Sequence, residues 1–148
     1  MTTSNHDTGK KGEKASEVYM SAHGFKRADK KLRADMESRY KKAGYSIQST
    51  AFDYVKVSEL DDTLPTLYEL KTAGEKRKTE VGDDWNTFGF TYTEKEERNA
   101  KLLGKKYKFI FLDLKKKRHI VLNERDWLNE TNARIYQTKS IFIKGLDV

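Results

Sequence analysis

Apolar residues in this chain fall into short periodic runs separated by charged stretches, and the period of each run predicts its element. From Gly12 to Ala22 the segment GEKASEVYMSA places Ala15, Val18, Tyr19 and Ala22 on one side of a short helix, with Gly24 as its stop. The polar, Gly/Ser/Thr-rich residues 1–11 before it are expected to form a flexible tail. A second helix is predicted from Ala28 to Ala43. Leu32, Met36, Tyr40 and Ala43 form its apolar stripe, and Gly44 follows the last turn. Lys30, Lys31, Arg33, Arg39, Lys41 and Lys42 crowd its other faces.

After Gly44 the pattern becomes β-like. Tyr45 and Ile47, then Phe52, Tyr54, Val55 and Val57, alternate in part, and a turn over Asp61–Pro65 leads into Leu67–Lys71. Residues 52–71 therefore read as an antiparallel pair. Residues 73–87 read as a loop around Trp85. Thr93 and Glu96 match a capping box opening a helix that Gly104 stops. Tyr107–Leu114 is almost continuously apolar, as in a strand covered on both faces. His119–Leu122 and Ile141–Ile143 are further strands, with a helical turn expected near Trp127. Lys115–Arg118 reads as a charged hairpin turn. The order α-α-β-β-α-β-β-(α)-β predicts an α/β (α+β) fold, a mixed central sheet flanked by helices, in one domain over residues 12–148.

Composition narrows the class. Of the 148 residues, 36% are hydrophobic and 36% charged, and the formal net charge is +7, a balance suited to a polyanionic partner. No stretch approaches the roughly 20 apolar residues of a membrane span, and no apolar leader opens the chain. With no cysteine there is no disulfide framework and no thiolate metal site. A cytoplasmic, non-secreted protein is expected. His6, His23 and His119 lack zinc-ligand spacing, and no phosphate-binding glycine loop or nucleophile elbow occurs.

One constellation carries chemistry. Residues at i and i+2 of a strand share a face, so Glu69 and Lys71 project together. If Asp53 on the neighbouring strand faces the same way, two carboxylates and an ammonium meet on an exposed face of the hairpin. Carboxylate oxygens are the ligands Mg²⁺ prefers, and a lysine beside them can orient water or offset charge at phosphorus. An acid-x-Lys pattern occurs three times, at Asp29, Glu69 and Asp113, but only Glu69 combines a strand setting with an upstream acid on a hairpin partner.

Phe52-Asp53 followed by Tyr68-Glu69-Leu70-Lys71-Thr72 resembles the PD-(D/E)xK nuclease superfamily, with its restriction-endonuclease-like fold. Thr93-x-x-Glu96, Ala100, Gly104 and Tyr107–Phe111 extend the likeness, so that it covers roughly residues 45–115. No proline precedes Asp53, a departure that family members often share. The resemblance implies a DNA endonuclease in which Asp53 and Glu69 bind Mg²⁺, with Mn²⁺ able to substitute, and Lys71 assists. Members commonly add an acid from an N-terminal helix. Glu37 is preferred here by its order along the chain, over Glu13 and Glu17 in their Gly-Glu-x-Ala setting. Glu96 is a further candidate that capping alone would explain. Lys76, Arg77 and Lys78 follow the strand where phosphate contacts are wanted. A homodimer would suit the two-fold symmetry of duplex DNA. The rival readings are a non-catalytic nucleic-acid-binding module of the same fold and an interaction protein with solvated carboxylates.

Overall fold

The computed structural model describes residues 5–73, 85, 87–128, 133–135 and 140–144, with side chains over 13–73, 85 and 88–128. Helix α1 spans Asn5–Ala22, strand β1 Phe25–Arg27, helix α2 Lys30–Lys42, β2 Tyr54–Lys56 and β3 Leu67–Ala73. Then come β4 (Thr87–Thr91), α3 (Glu94–Leu103), β5 (Tyr107–Asp113), β6 (Arg118–Leu122), the single turn α4 (Glu124–Trp127), β7 (Ala133–Ile135) and β8 (Ser140–Lys144). The fold is α+β.

A mixed five-stranded sheet runs β1-β2-β3-β5-β6, and a smaller sheet runs β4-β8-β7. In the larger sheet β1 and β2 are antiparallel, as are β2 and β3, whose described pairing is Tyr54 with Tyr68. β3 and β5 run parallel, with Glu69 beside Phe109 and Lys71 beside Phe111. A parallel neighbour requires a long crossover. Here it is residues 74–106, which carry β4 and α3.

Apolar clusters fill both faces of this sheet. On one face Leu32, Met36 and Tyr40 of α2 pack with Phe52, Val55, Leu67, Phe109 and Phe111. Phe90, Tyr92 and Phe109 meet Trp127 edge-on with ring centroids 5.1–5.2 Å apart. Each such pair contributes about 0.5–1.5 kcal/mol beyond its area. On the other face Met20 of α1 packs with Phe25, Tyr54, Tyr68, Ile110 and Leu112.

Several local expectations change. α1 starts at Asn5, inside the stretch read as a tail, although Gly9 and Gly12 disfavour helix. Its buried side is not Ala15, Val18 and Ala22. Val18 is 64% exposed, and Ser16 and Met20, one turn apart, make the contact. That stripe assumed that every apolar residue of a short helix faces inward, whereas α1 touches the sheet along a narrow line. Tyr45 and Ile47 form no strand, since Gln48 is tied to α3 instead: Asn99 Oδ1 accepts from the Gln48 amide at 2.8 Å. β1, β4 and β7 are additional strands. The turn between β5 and β6 is as read, and Trp85 is buried, stacked on Phe88 with the Arg118 guanidinium 4.6 Å above its ring. No described helix is long and apolar enough to cross a membrane.

Candidate active site

Asp53 lies one residue before β2, where the chain is held on both sides by backbone bonds. Its amide donates to Tyr68 O at 2.8 Å and its carbonyl accepts from Ala28 N at 2.7 Å. With that carbonyl engaged toward β1, the Leu70 amide is answered by the Asp53 carboxylate, Oδ2, at 2.8 Å. Strand amides point within the sheet toward the neighbouring strand. The carboxylate therefore lies close to the sheet plane, at the seam where β2 and β3 part, and lines the cavity on the α1 side with Leu70 and Thr72, the face of β3 opposite to Glu69 and Lys71.

Glu69 and Lys71 share a face of β3, as their spacing requires, but that face is covered rather than exposed. Both are buried, at 8% and 9% exposure. The expectation of an open hairpin face fails because α3 and β4 lie over it. Lys71 Nζ donates to Glu96 Oε1 at 2.6 Å and to Thr91 O at 2.6 Å, and it is 3.7 Å from Glu69 Oε1. Its ammonium also lies 5.7 Å from the Phe90 ring centroid. One lysine thus ties β3 to the end of β4 and the first turn of α3.

Glu96 performs two tasks with one oxygen. Its Oε1 accepts from Lys71 and also from the Thr93 amide at 3.2 Å, while Thr93 Oγ1 accepts from Glu96 N at 3.2 Å. The capping box is complete, and it aims the carboxylate inward. Capping and site membership are not alternatives here.

The electrostatics follow from this crowding. Burial pushes the Glu69 carboxyl well above the ordinary carboxylate range. The negative charges of Asp53 and then Glu96 add to the shift, Lys71 opposes it, and a hydrogen bond to Glu96 adds to it. Glu69 therefore keeps its proton more readily than an exposed carboxyl does.

Of the helix acids, Glu37 is not brought to this group. It is exposed on α2, in a separate groove with Lys30, Arg33 and Lys41. Chain order suggested it, but the α2 stripe of Leu32, Met36 and Tyr40 turns residue 37 outward. Glu13 instead lines a cavity of about 400 Å³ between α1 and the sheet, together with Asp53, Ser16, Arg27, Leu70 and Thr72. Glu17 sits at the rim, 3.9 Å from Arg27. The Gly-Glu-x-Ala setting was the sequence signal favouring Glu13. Lys76, Arg77 and Lys78 lie outside the described residues.

Among the described residues, no three His, Asp or Glu side chains surround a single metal position. The donors available are Asp53 at the seam, Glu69 inside it and Glu13 across the cavity. Their oxygens are the donor type Mg²⁺ takes, commonly one or two carboxylates with water and phosphate completing the shell. No protein-family model, curated protein or solved structure matches the chain significantly.

Proposed function

We propose that this protein is a Mg²⁺-dependent endonuclease that hydrolyses phosphodiester bonds in DNA, on a restriction-endonuclease-like fold. The reading rests on one juxtaposition. Asp53 lies at the seam of two strands, and its charge is the foremost one acting on Glu69, whose strand neighbour Lys71 is held by a third carboxylate. Asp53 and Glu69 would hold the ion, and Glu13, which lines the same cavity as Asp53, would be the helix acid to join them. When bound, Mg²⁺ supplies a water of lowered pKa and stabilises charge developing at phosphorus.

The chain's own residues do the rest. Glu69 must release its proton to act as a ligand, and Lys71, 3.7 Å from its Oε1, favours the ionised form. Lys71 then offsets the ionised pair. Its fixed anchors at Thr91 and Glu96 hold the ammonium at one point, so it orients a nucleophile rather than acting as a mobile charge. The net charge of +7 provides the long-range attraction for a polyanion. A homodimer would address both strands of a duplex, and a cytoplasmic location accords with the absence of cysteine.

The test is supercoiled plasmid incubated with Mg²⁺ or Mn²⁺ and wild type, Glu69→Ala or Lys71→Ala. Nicking or linearisation by wild type alone is expected, with a loss of at least about 100-fold in either variant. Plasmid retained on a gel but left intact by wild type would replace the proposal with a non-catalytic DNA-binding module.

A further inference from the structure

Outside the carboxylate site, α2 and the loop after it form a second concave surface. Lys30, Arg33, Ser38 and Lys41 of α2 face Ser49 and Thr50 of the loop across a groove of about 490 Å³. We propose that this groove is the seat of the DNA backbone, its lysines and hydroxyls taking successive phosphates of one strand. The assignment rests on the nuclease reading above and names the surface by which that site receives its substrate.

Three observations carry it. First, the groove is chemically matched to phosphate, with three cationic side chains, three hydroxyls and only one acid, Glu37. Positive side chains and hydroxyls are the groups that most often contact phosphate. Second, the wall is preformed. Arg33 Nη1 donates to Ser49 O at 2.8 Å, and its guanidinium lies 5.2 Å from the Phe52 ring centroid, so loop and helix are fixed to each other. The side chains of Lys30 and Lys41, by contrast, make no hydrogen bond or ion pair among the described residues and remain available to a ligand.

Third, the groove is in register with the site. Thr50 precedes Asp53 by three residues, so their Cα atoms are at most ~11 Å apart at ~3.6 Å per residue. DNA rises about 3.4 Å per nucleotide, so the loop end of the groove lies within about three nucleotide steps of Asp53. The buried stripe of α2 packs with Phe52, Val55 and Leu67, on the sheet face that also carries Glu69 and Lys71. Groove, Glu69 and Lys71 thus lie on the same side of the sheet.

The test measures binding without cleavage. A fluorescein-labelled DNA duplex is titrated in EDTA at several salt concentrations with wild type, Lys30→Gln/Lys41→Gln, and Lys105→Gln/Lys106→Gln as a charge-matched control from an exposed turn. Loss of two phosphate contacts should make the slope of log K against log salt shallower by about 1.8 in the groove variant, and at 50 mM salt should weaken affinity roughly tenfold or more. The control should keep the wild-type slope. Glu37→Gln should tighten binding, since it removes the one repulsive charge. An unchanged slope in the groove variant, or an equal change in the control, would overturn the assignment. So would a poly-glutamate chain that binds wild type as tightly as DNA. Because no metal is present, a groove that binds DNA in a protein unable to cleave plasmid would sink the hydrolase and leave the groove standing.

Discussion

Glu69 shares a face of β3 with Lys71 and is buried there beneath a layer that comes from residues 87–96. Burial makes a pH prediction with a definite sign. A carboxyl whose pKa is raised on folding binds its proton more tightly in the folded chain. Its stabilising contribution is therefore full below the ordinary value of 4.5 and is lost as pH rises through the higher folded value. An amide mimics the protonated acid, with one donor and one acceptor. Glu69→Gln should thus melt at a higher temperature than wild type at pH 8 in EDTA, with the gap closing toward pH 4. A variant that melts lower at pH 8 would contradict this account of the carboxyl. Removing the lysine has the opposite effect. Lys71→Ala leaves the two neighbouring carboxylates, Glu69 and Glu96, without their cation and should destabilise the fold by about 3–5 kcal/mol, measured by urea unfolding at pH 7.

At the scale of elements, α3 is where local signals and tertiary role agree. Its capping box, its stop at Gly104 and the apolar run of β5 behind it are all readable in the sequence. What could not be read is that the capping glutamate also holds Lys71, a contact between residues 25 apart in the chain. Thr93→Ala should lower stability by about 1 kcal/mol through the lost cap. It should also reduce cleavage, since the first turn of α3 sets where Glu96 and Lys71 meet. A drop in stability with cleavage untouched would separate the two roles. Asn99 of the same helix accepts from Gln48 N at 2.8 Å and donates to Gln48 O at 3.0 Å, pinning the loop that leads into Asp53. Asn99→Ala leaves those half-buried groups unpaired and should cost about 1 kcal/mol in urea unfolding, whereas a neutral result would mean water replaces the amide. Elements of three to five residues fared worst in the sequence reading. β1, β4 and β7 carry too few positions for an alternating pattern to show, and they exist because neighbouring strands supply their hydrogen bonds.

At the scale of the whole molecule, the five-stranded sheet separates two surfaces that the chain order alone runs together. α1 covers one face and brings Glu13 toward Asp53. α2 covers the other and presents its basic groove beside the loop into the site. Both helices carry acids at helical spacing from their apolar positions, so the choice between Glu13 and Glu37 needed the direction in which each stripe faces, which is a property of the assembled layers. The central claim is that Asp53 and Glu69 share a divalent cation at the seam of β2 and β3. The most direct measurement is calorimetric titration of Mn²⁺ into wild type, Asp53→Asn and Glu69→Gln, repeated in buffers of different ionisation enthalpy. Wild type should bind with proton release that grows as pH is lowered, and both variants should lose that binding. Undiminished Mn²⁺ binding by the two variants would contradict that claim.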